Sequence, residues 1–254
     1  MIELTVALPL YNAKNIAWLA LESLCRQKDV NFEWELICAE ETTPNPFTKE
    51  GVLKYEERLK QVNCKRIEFI ELNQKIPLSF KWKLIARKAM DTSIAFLLQA
   101  GDCYSQPYRL KESYDLLVKQ EYEWISSQIG PFYEINTGLV FLYDLRKRPR
   151  TDGLNMGARI ELIKNLPDEI KNKSVDSWIV TSITNYLKRA PKRAFNNSDN
   201  WKYGFDSHGL NNISKGRSKI MRTKKDIYNG TVDLNQYIDS DILTRIKDCA
   251  RLVK

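Results

Sequence analysis

Four apolar runs, each followed by a segment of a different texture, fill the first 110 residues, and this alternation restricts the fold more than any other feature of the chain. Leu4-Thr5-Val6-Ala7-Leu8-Pro9-Leu10 has no helical period, and after Tyr11 to Asn15 come Ile16, Leu19, Ala20 and Leu24 at helical spacing. Trp34 to Ala39 repeats the strand pattern and ends at Glu40-Glu41, after which Val52, Tyr55, Leu59 and Val62 mark one face of a helix. Arg66 to Leu72 reads as a third strand, Ser79 to Ala89 as a helix, and Ser93 to Leu98 as a fourth strand that stops at Gln99-Ala100-Gly101-Asp102. Strands alternating with helices of this length predict βαβ crossovers, hence an α/β fold with a mostly parallel central sheet and helices on both faces.

Beyond residue 110 the pattern changes. A helix from about Pro107 to Lys119 leads to Trp124 to Gln128 and Gly138 to Tyr143, which look like mixed or antiparallel strands. Gly153-Leu154-Asn155-Met156-Gly157 precedes a helix, Ser174-Val175-Asp176-Ser177-Trp178 opens another, and Ile242 to Val253 is a last helical segment. The expected organisation is one domain over 1–218, with halves at 1–110 and 111–218, and a helical appendage over 219–254. No internal repeat interrupts it.

No apolar stretch approaches the ~20 residues that cross a bilayer, and MIELTVALPLYN has no basic region leading into a signal-type segment. The expectation is a cytoplasmic protein, at most peripheral to a membrane surface. Five cysteines at 25, 38, 64, 103 and 249, without a Cys-x-x-Cys pair, read as reduced thiols. The formal charge of +8 is concentrated: Pro191 to Lys225 holds nine Lys or Arg against Asp199 and Asp206. That segment suits an anionic partner, and nucleic acid, anionic lipid and a nucleotide diphosphate satisfy it equally; a solvated basic face satisfies it too.

Two predicted parallel strands end in acids, Glu40-Glu41 after the second and Asp102 after the fourth. Strand C-termini in a parallel sheet share one edge, where ligands of open α/β folds sit. Clustered carboxylates repel unless they hold a metal, accept hydrogen bonds or titrate upward. Gly-Asp also ends strands for purely local reasons.

The blocks T-V-A-L-P-L-Y-N-A at 5–13, E-L-I-C-A-E-E at 35–41, K-W-K-L-I-A-R-K-A at 81–89 and I-A-F-L-L-Q-A-G-D-C-Y at 94–104, in that order, resemble the family-two glycosyltransferases of the GT-A fold. The resemblance covers roughly the first 110 residues well and the rest loosely. It implies a nucleotide site lined by Pro9 and Tyr11, with Glu40 reading the base and Glu41 beside it, where the family more often has Asp-Asp-Gly-Ser. It places Lys81 and Lys83 as candidates under the diphosphate; helix-surface lysines are the plain alternative.

The same resemblance makes Gln99-Ala100-Gly101-Asp102 the counterpart of an Asp-x-Asp element that holds Mn²⁺ or Mg²⁺ against the diphosphate. Gln99 and Gly101 stand where acids are expected, so Asp102 alone remains. One carboxylate suffices for a cation whose shell is completed by water and phosphate. His208, the single histidine, lies in a polar loop and is the second candidate ligand, with a plain surface-loop histidine or direct phosphate contact as its alternatives; Gly101 and Arg217 line the diphosphate, with Ser214 and Lys215 close by. Asp176 fits the family's general base, the group that takes the acceptor's proton, although an acid at a helix start is also a plain cap. Asp152 and Asp206 are its reserves, and Asn155, Met156 and Trp178 are assigned to the acceptor.

These residues together imply an inverting transfer of a sugar from a UDP- or GDP-type donor to a hydroxyl on a glycan, a lipid-linked or another acceptor. A processive synthase is disfavoured by the missing Gln-x-x-Arg-Trp signature. The alternative is a non-catalytic nucleotide- or nucleic-acid-binding protein on the same scaffold, with Phe195, Trp201, Tyr203 and Phe205 interleaved among the basic residues. A nucleotidyltransferase ranks lower, because no Gly-rich phosphate loop follows the first strand.

Overall fold

A computed structural model describes residues 1–134, 139–144, 154–168, 175–195, 205–208, 228–229 and 238–251. The first strand, β1 (Ile2–Leu10), feeds α1 (Trp18–Cys25), and β2 (Glu33–Glu41) feeds two short helices, α2 (Lys49–Leu53) and α3 (Glu56–Gln61). Next come β3 (Cys64–Leu72), α4 (Leu78–Lys88), β4 (Ala95–Leu98) and the two-residue β5 (Cys103–Tyr104). Helix α5 (Arg109–Tyr114) runs on into a π-helical turn, Asp115–Lys119. The remaining elements are β6 (Trp124–Ser127), β7 (Ile129–Glu134), β8 (Leu139–Asp144), β9 (Leu154–Arg159), α6 (Ile160–Lys164), α7 (Val175–Leu187), β10 (Arg193–Phe195), β11 (Phe205–His208), β12 (Tyr228–Asn229) and α8 (Ser240–Arg251).

Seven strands form the central sheet in the order β10-β6-β9-β4-β1-β2-β3. β1 pairs in parallel with β2 and β4, and β2 with β3. β9 lies antiparallel between β4 and β6. The α/β fold with a mostly parallel sheet is therefore present as the alternation predicts. A second sheet, β12-β8-β7-β11-β5, takes in β5, which follows β4 in the chain.

Burial on both faces explains the near-continuous apolar strands. Leu4, Val6, Leu8 and Leu10 of β1 face a core shared with α1, while Ala7, Ile37 and Phe96 face a second core against Trp82, Ile85, Ile163 and Ile179. Helix α8, expected as part of an appendage, joins the first core through Ile242, Leu243 and Ile246. Arg26 fastens it, reaching Asp239 at 2.5 Å and Asp241 at 2.6 Å, and the Arg245 guanidinium lies 3.9 Å from the Trp18 ring centre.

Two expectations are amended here. The helix marked by Val52 to Val62 is broken at Lys54–Tyr55 into α2 and α3. Residues 154–159, read as the approach to a helix, are a strand in the middle of the sheet. Gly157 permits this, because a Cβ there would meet Leu97 Cδ2 at 2.6 Å and the Phe96 carbonyl oxygen at 3.2 Å.

Candidate active site

The C-terminal ends of β1, β2 and β4 meet at one sheet edge, as parallel pairing requires. Leu10 joins the three ends. Its carbonyl accepts from Lys81 Nζ at 2.5 Å, and its side chain lies so close to Gly101 that a Cβ there would fall 2.8 Å from Leu10 Cδ2. Gly101 therefore lets the turn carrying Asp102 settle against the end of β1.

Past Leu10 the chain turns at Asn12, whose φ of 52° is in the left-handed region that asparagine tolerates. Glu40 holds this turn: Asn12 N donates to Oε1 at 3.1 Å, and Phe47 N donates to Oε2 at 3.1 Å. Asn45 N donates in turn to Asn12 Oδ1 at 3.1 Å. Burial pushes the Glu40 carboxyl above the ordinary carboxylate range, against the pull of these two N–H groups. Each Glu40 oxygen thus accepts one backbone N–H, so Glu40 fastens the turn at the end of β1.

Its neighbour Glu41 is arranged differently. Oε1 forms an ion pair with Lys81 Nζ at 2.9 Å and accepts from Ile76 N at 3.0 Å, while Oε2 is buried and has no hydrogen-bond partner among the described residues. Thr43 Oγ1, two residues on, is in the same condition. A buried carboxylate oxygen without a donor is costly and suits an incoming N–H. Tyr11 stands at the mouth with 43% of its surface exposed, Lys75 Nζ 4.7 Å and Lys81 Nζ 5.8 Å from its ring centre. Lys75 was not foreseen, because it sits in a loop and contacts Tyr11 only through the fold.

Lys83 is a correction. Although buried like Lys81, its Nζ donates to the Leu166 carbonyl at 2.5 Å and to Asp168 at 2.6 Å, tying α4 to the end of α6. Residues two apart on a helix project about 200° apart, so Lys81 and Lys83 cannot serve one site.

The turn 99–103 is held from beneath. Gln99 is buried, and its Nε2 donates to the carbonyls of Ala100 and Cys103, both at 3.0 Å. Its Oε1 accepts from Ser105 Oγ at 2.7 Å and from Arg109 Nη1. Gln99 is therefore engaged on both sides within the turn. Arg109, only 2% exposed, also donates from Nη1 to Ser105 Oγ at 2.8 Å and from Nη2 to the Leu98 carbonyl at 2.9 Å. No carboxylate pairs with it among the described residues, and burial pushes its pKa down to about 10. Asp102, half-buried at the crest of the turn, is the acid nearest the end of β4.

β11 brings the later sequence back to this turn. Asp206 pairs with Cys103 in the antiparallel register, and the strand continues two residues toward the 101–102 side, ending at His208. The side chains of Asp206 and His208 lie outside the described set, as does that of Asp176, the second residue of α7. Asp152, Ser214, Lys215 and Arg217 also lie outside the described residues. Asn155 and Met156 are half-buried on β9, and Met156 and Trp178 both lean on the second core.

No family model matches the sequence, and no curated protein matches it. Solved structures do resemble the fold. TarS 1–349 from S. aureus in complex with UDP superposes with a TM-score of 0.60 at 16% identity, covering 82% of this chain and 61% of that one. Its complex with UDP-GlcNAc gives 0.60 at 17% identity, covering 83% and 60%. The mannosyltransferase PcManGT from Pyrobaculum calidifontis, in complex with GDP-Man and Mn²⁺, gives 0.57 at 12% identity over 99% of this chain and 73% of that one. The present chain thus spans about three fifths of TarS 1–349 in these two complexes. Sheet order, the edge shared by β1, β2 and β4, and these superpositions agree: the chain has a GT-A-like glycosyltransferase fold.

Proposed function

We propose that the chain is a glycosyltransferase that binds a nucleoside-diphosphate sugar at the C-terminal edge of β1, β2 and β4 and moves the sugar to a hydroxyl acceptor. The observation that carries this reading is the buried Glu41 Oε2, unpartnered among the described residues, at the same sheet edge as the exposed ring of Tyr11 and joined to it through Lys81. A base N–H supplies what Glu41 lacks, Tyr11 offers a stacking face, and Lys75 and Lys81 add positive charge beside it. The neighbours in complex with UDP, UDP-GlcNAc and GDP-Man support a donor of this class.

The residues of the turn fit a divalent cation that has few protein ligands. Asp102 offers one carboxylate, Gln99 is already engaged, and His208 ends the strand that pairs beside the turn. Mn²⁺ or Mg²⁺ held there would stabilise negative charge on the departing diphosphate; Mn²⁺ is present in the complex of PcManGT.

The transfer is a single displacement with inversion. The acceptor oxygen forms a bond to the anomeric carbon as that carbon's bond to the diphosphate oxygen breaks, and the leaving group takes the electron pair. Asp176, near the start of α7, takes the acceptor's proton. Asn155, Met156 and Trp178 line the acceptor side.

Thermal-shift titration with UDP and GDP, with and without Mn²⁺, tests the site. At least one diphosphate raises the melting temperature of the wild type, and Glu41→Gln reduces that rise. Absence of a rise with both nucleotides, in either metal condition, contradicts the reading.

A further inference from the structure

Gln99 and Arg109 together carry a positive charge that a carboxylate–guanidinium ion pair would not. A carboxylate at 99 would neutralise the guanidinium, whereas the Gln99 amide accepts its hydrogen bond and leaves a net positive charge. Arg109 donates to Gln99 Oε1, Ser105 Oγ and the Leu98 carbonyl, and its Nε, also buried, has no partner among the described residues. A buried cation with no counter-ion among the described residues is expensive, so the local packing of the turn does not by itself account for it. Burial also keeps its field from being screened by salt. One hydrogen-bonded layer separates the guanidinium from the turn: Arg109 donates to Gln99 Oε1, and Gln99 Nε2 donates to the carbonyls of Ala100 and Cys103 on either side of Gly101-Asp102.

We propose that Arg109 is a fixed positive charge beneath the 99–103 turn that takes over part of the neutralisation of a bound diphosphate, so that nucleoside diphosphates bind here without a divalent cation. This rests on the reading of the turn as the diphosphate site. Arg109 touches no ligand; it is a positioning residue that acts through Gln99 and through its charge. The usual division of labour, in which acids gather a metal and the metal neutralises phosphate, is shifted toward the protein.

The test is calorimetric titration in excess EDTA with uridine and UDP, and with guanosine and GDP. In the wild type the diphosphate binds about tenfold or more tightly than its nucleoside, the scale of one unscreened charge at roughly 10 Å. Arg109→Gln narrows that ratio toward one while leaving the affinity for the nucleoside within about twofold, a pattern that general loosening of the site does not produce. Arg109→Lys, which keeps the charge and loses the planar fork, retains most of the ratio. A wild-type ratio near one in EDTA overturns the proposal, as does an unchanged ratio in Arg109→Gln or an equal loss in both variants. Should Arg109→Gln fail to fold, the wild type and Arg109→Lys still decide. If neither nucleoside nor diphosphate binds in any condition, the nucleotide reading itself fails and takes this inference with it.

Discussion

Lys81 Nζ lies 2.9 Å from Glu41 Oε1, with 4% and 2% of the two side chains exposed, and the same ammonium donates to the carbonyl of Leu10. One buried cation thus joins the ends of β1 and β2 and fixes the carboxylate whose other oxygen has no partner among the described residues. Removing the cation leaves Glu41 both buried and uncompensated. Lys81→Met is expected to destabilise the fold by about 3–5 kcal/mol. Glu41→Gln costs less, because an amide oxygen still accepts from Ile76 N and Lys81 keeps its hydrogen bond to the Leu10 carbonyl. Urea denaturation of the two variants measures the difference.

Gly157 carries the sheet from its parallel to its antiparallel half. A methyl group there meets Leu97 Cδ2 at 2.6 Å, Ile125 Cγ1 at 3.2 Å and the Phe96 carbonyl oxygen at 3.2 Å, so the strands on both sides of β9 must give way. Gly157→Ala is expected to cost about 1–3 kcal/mol. A lowered melting temperature measures it; a melting temperature equal to that of the wild type contradicts the close packing.

Glu22 links α1 to the helices around it. Arg58 Nη2 reaches its Oε1 at 2.6 Å and Arg26 Nη2 the same oxygen at 3.1 Å, and the Arg58 hydrogen bond is the chief cause of a carboxyl held below its ordinary pKa. A depressed carboxyl stabilises the folded state above its unfolded pKa, and that contribution is lost as pH falls through the folded value. Glu22→Gln is therefore expected to cost about 1–2 kcal/mol near pH 7, discounted for the exposure of Arg58. The gap between variant and wild type closes as melting is followed down to about pH 3. A gap of constant size over that range contradicts the assignment.

The first half of the fold was legible because β1, β2 and β4 are buried along their length as short apolar runs, while α3 and α4 show apolar residues at helical spacing. Residues 154–159 were not, since Asn155, Gly157 and Ala158 carry no strand preference; β4 and β6 impose the strand from either side. The sheet edge was legible, and Tyr11, Glu41, Lys81, Gly101 and Asp102 of the candidate site lie along it. The distinction between Glu40 and Glu41 was not, because adjacent acids differ only in which backbone N–H groups the turns bring to them. Lys83 could have been set aside from helix geometry alone, being two residues from Lys81. Arg109 had no signal in the sequence: its contact with Gln99 spans ten residues and a helix start.

The most direct test of the central claim is release of nucleoside diphosphate from a panel of UDP- and GDP-sugars with Mn²⁺, comparing the wild type with Asp102→Asn. The account predicts release from at least one donor by the wild type, reduced about 100-fold or more in the folded variant. Release undiminished in Asp102→Asn, or no release from any donor by a folded wild-type protein with candidate acceptors supplied, would contradict it.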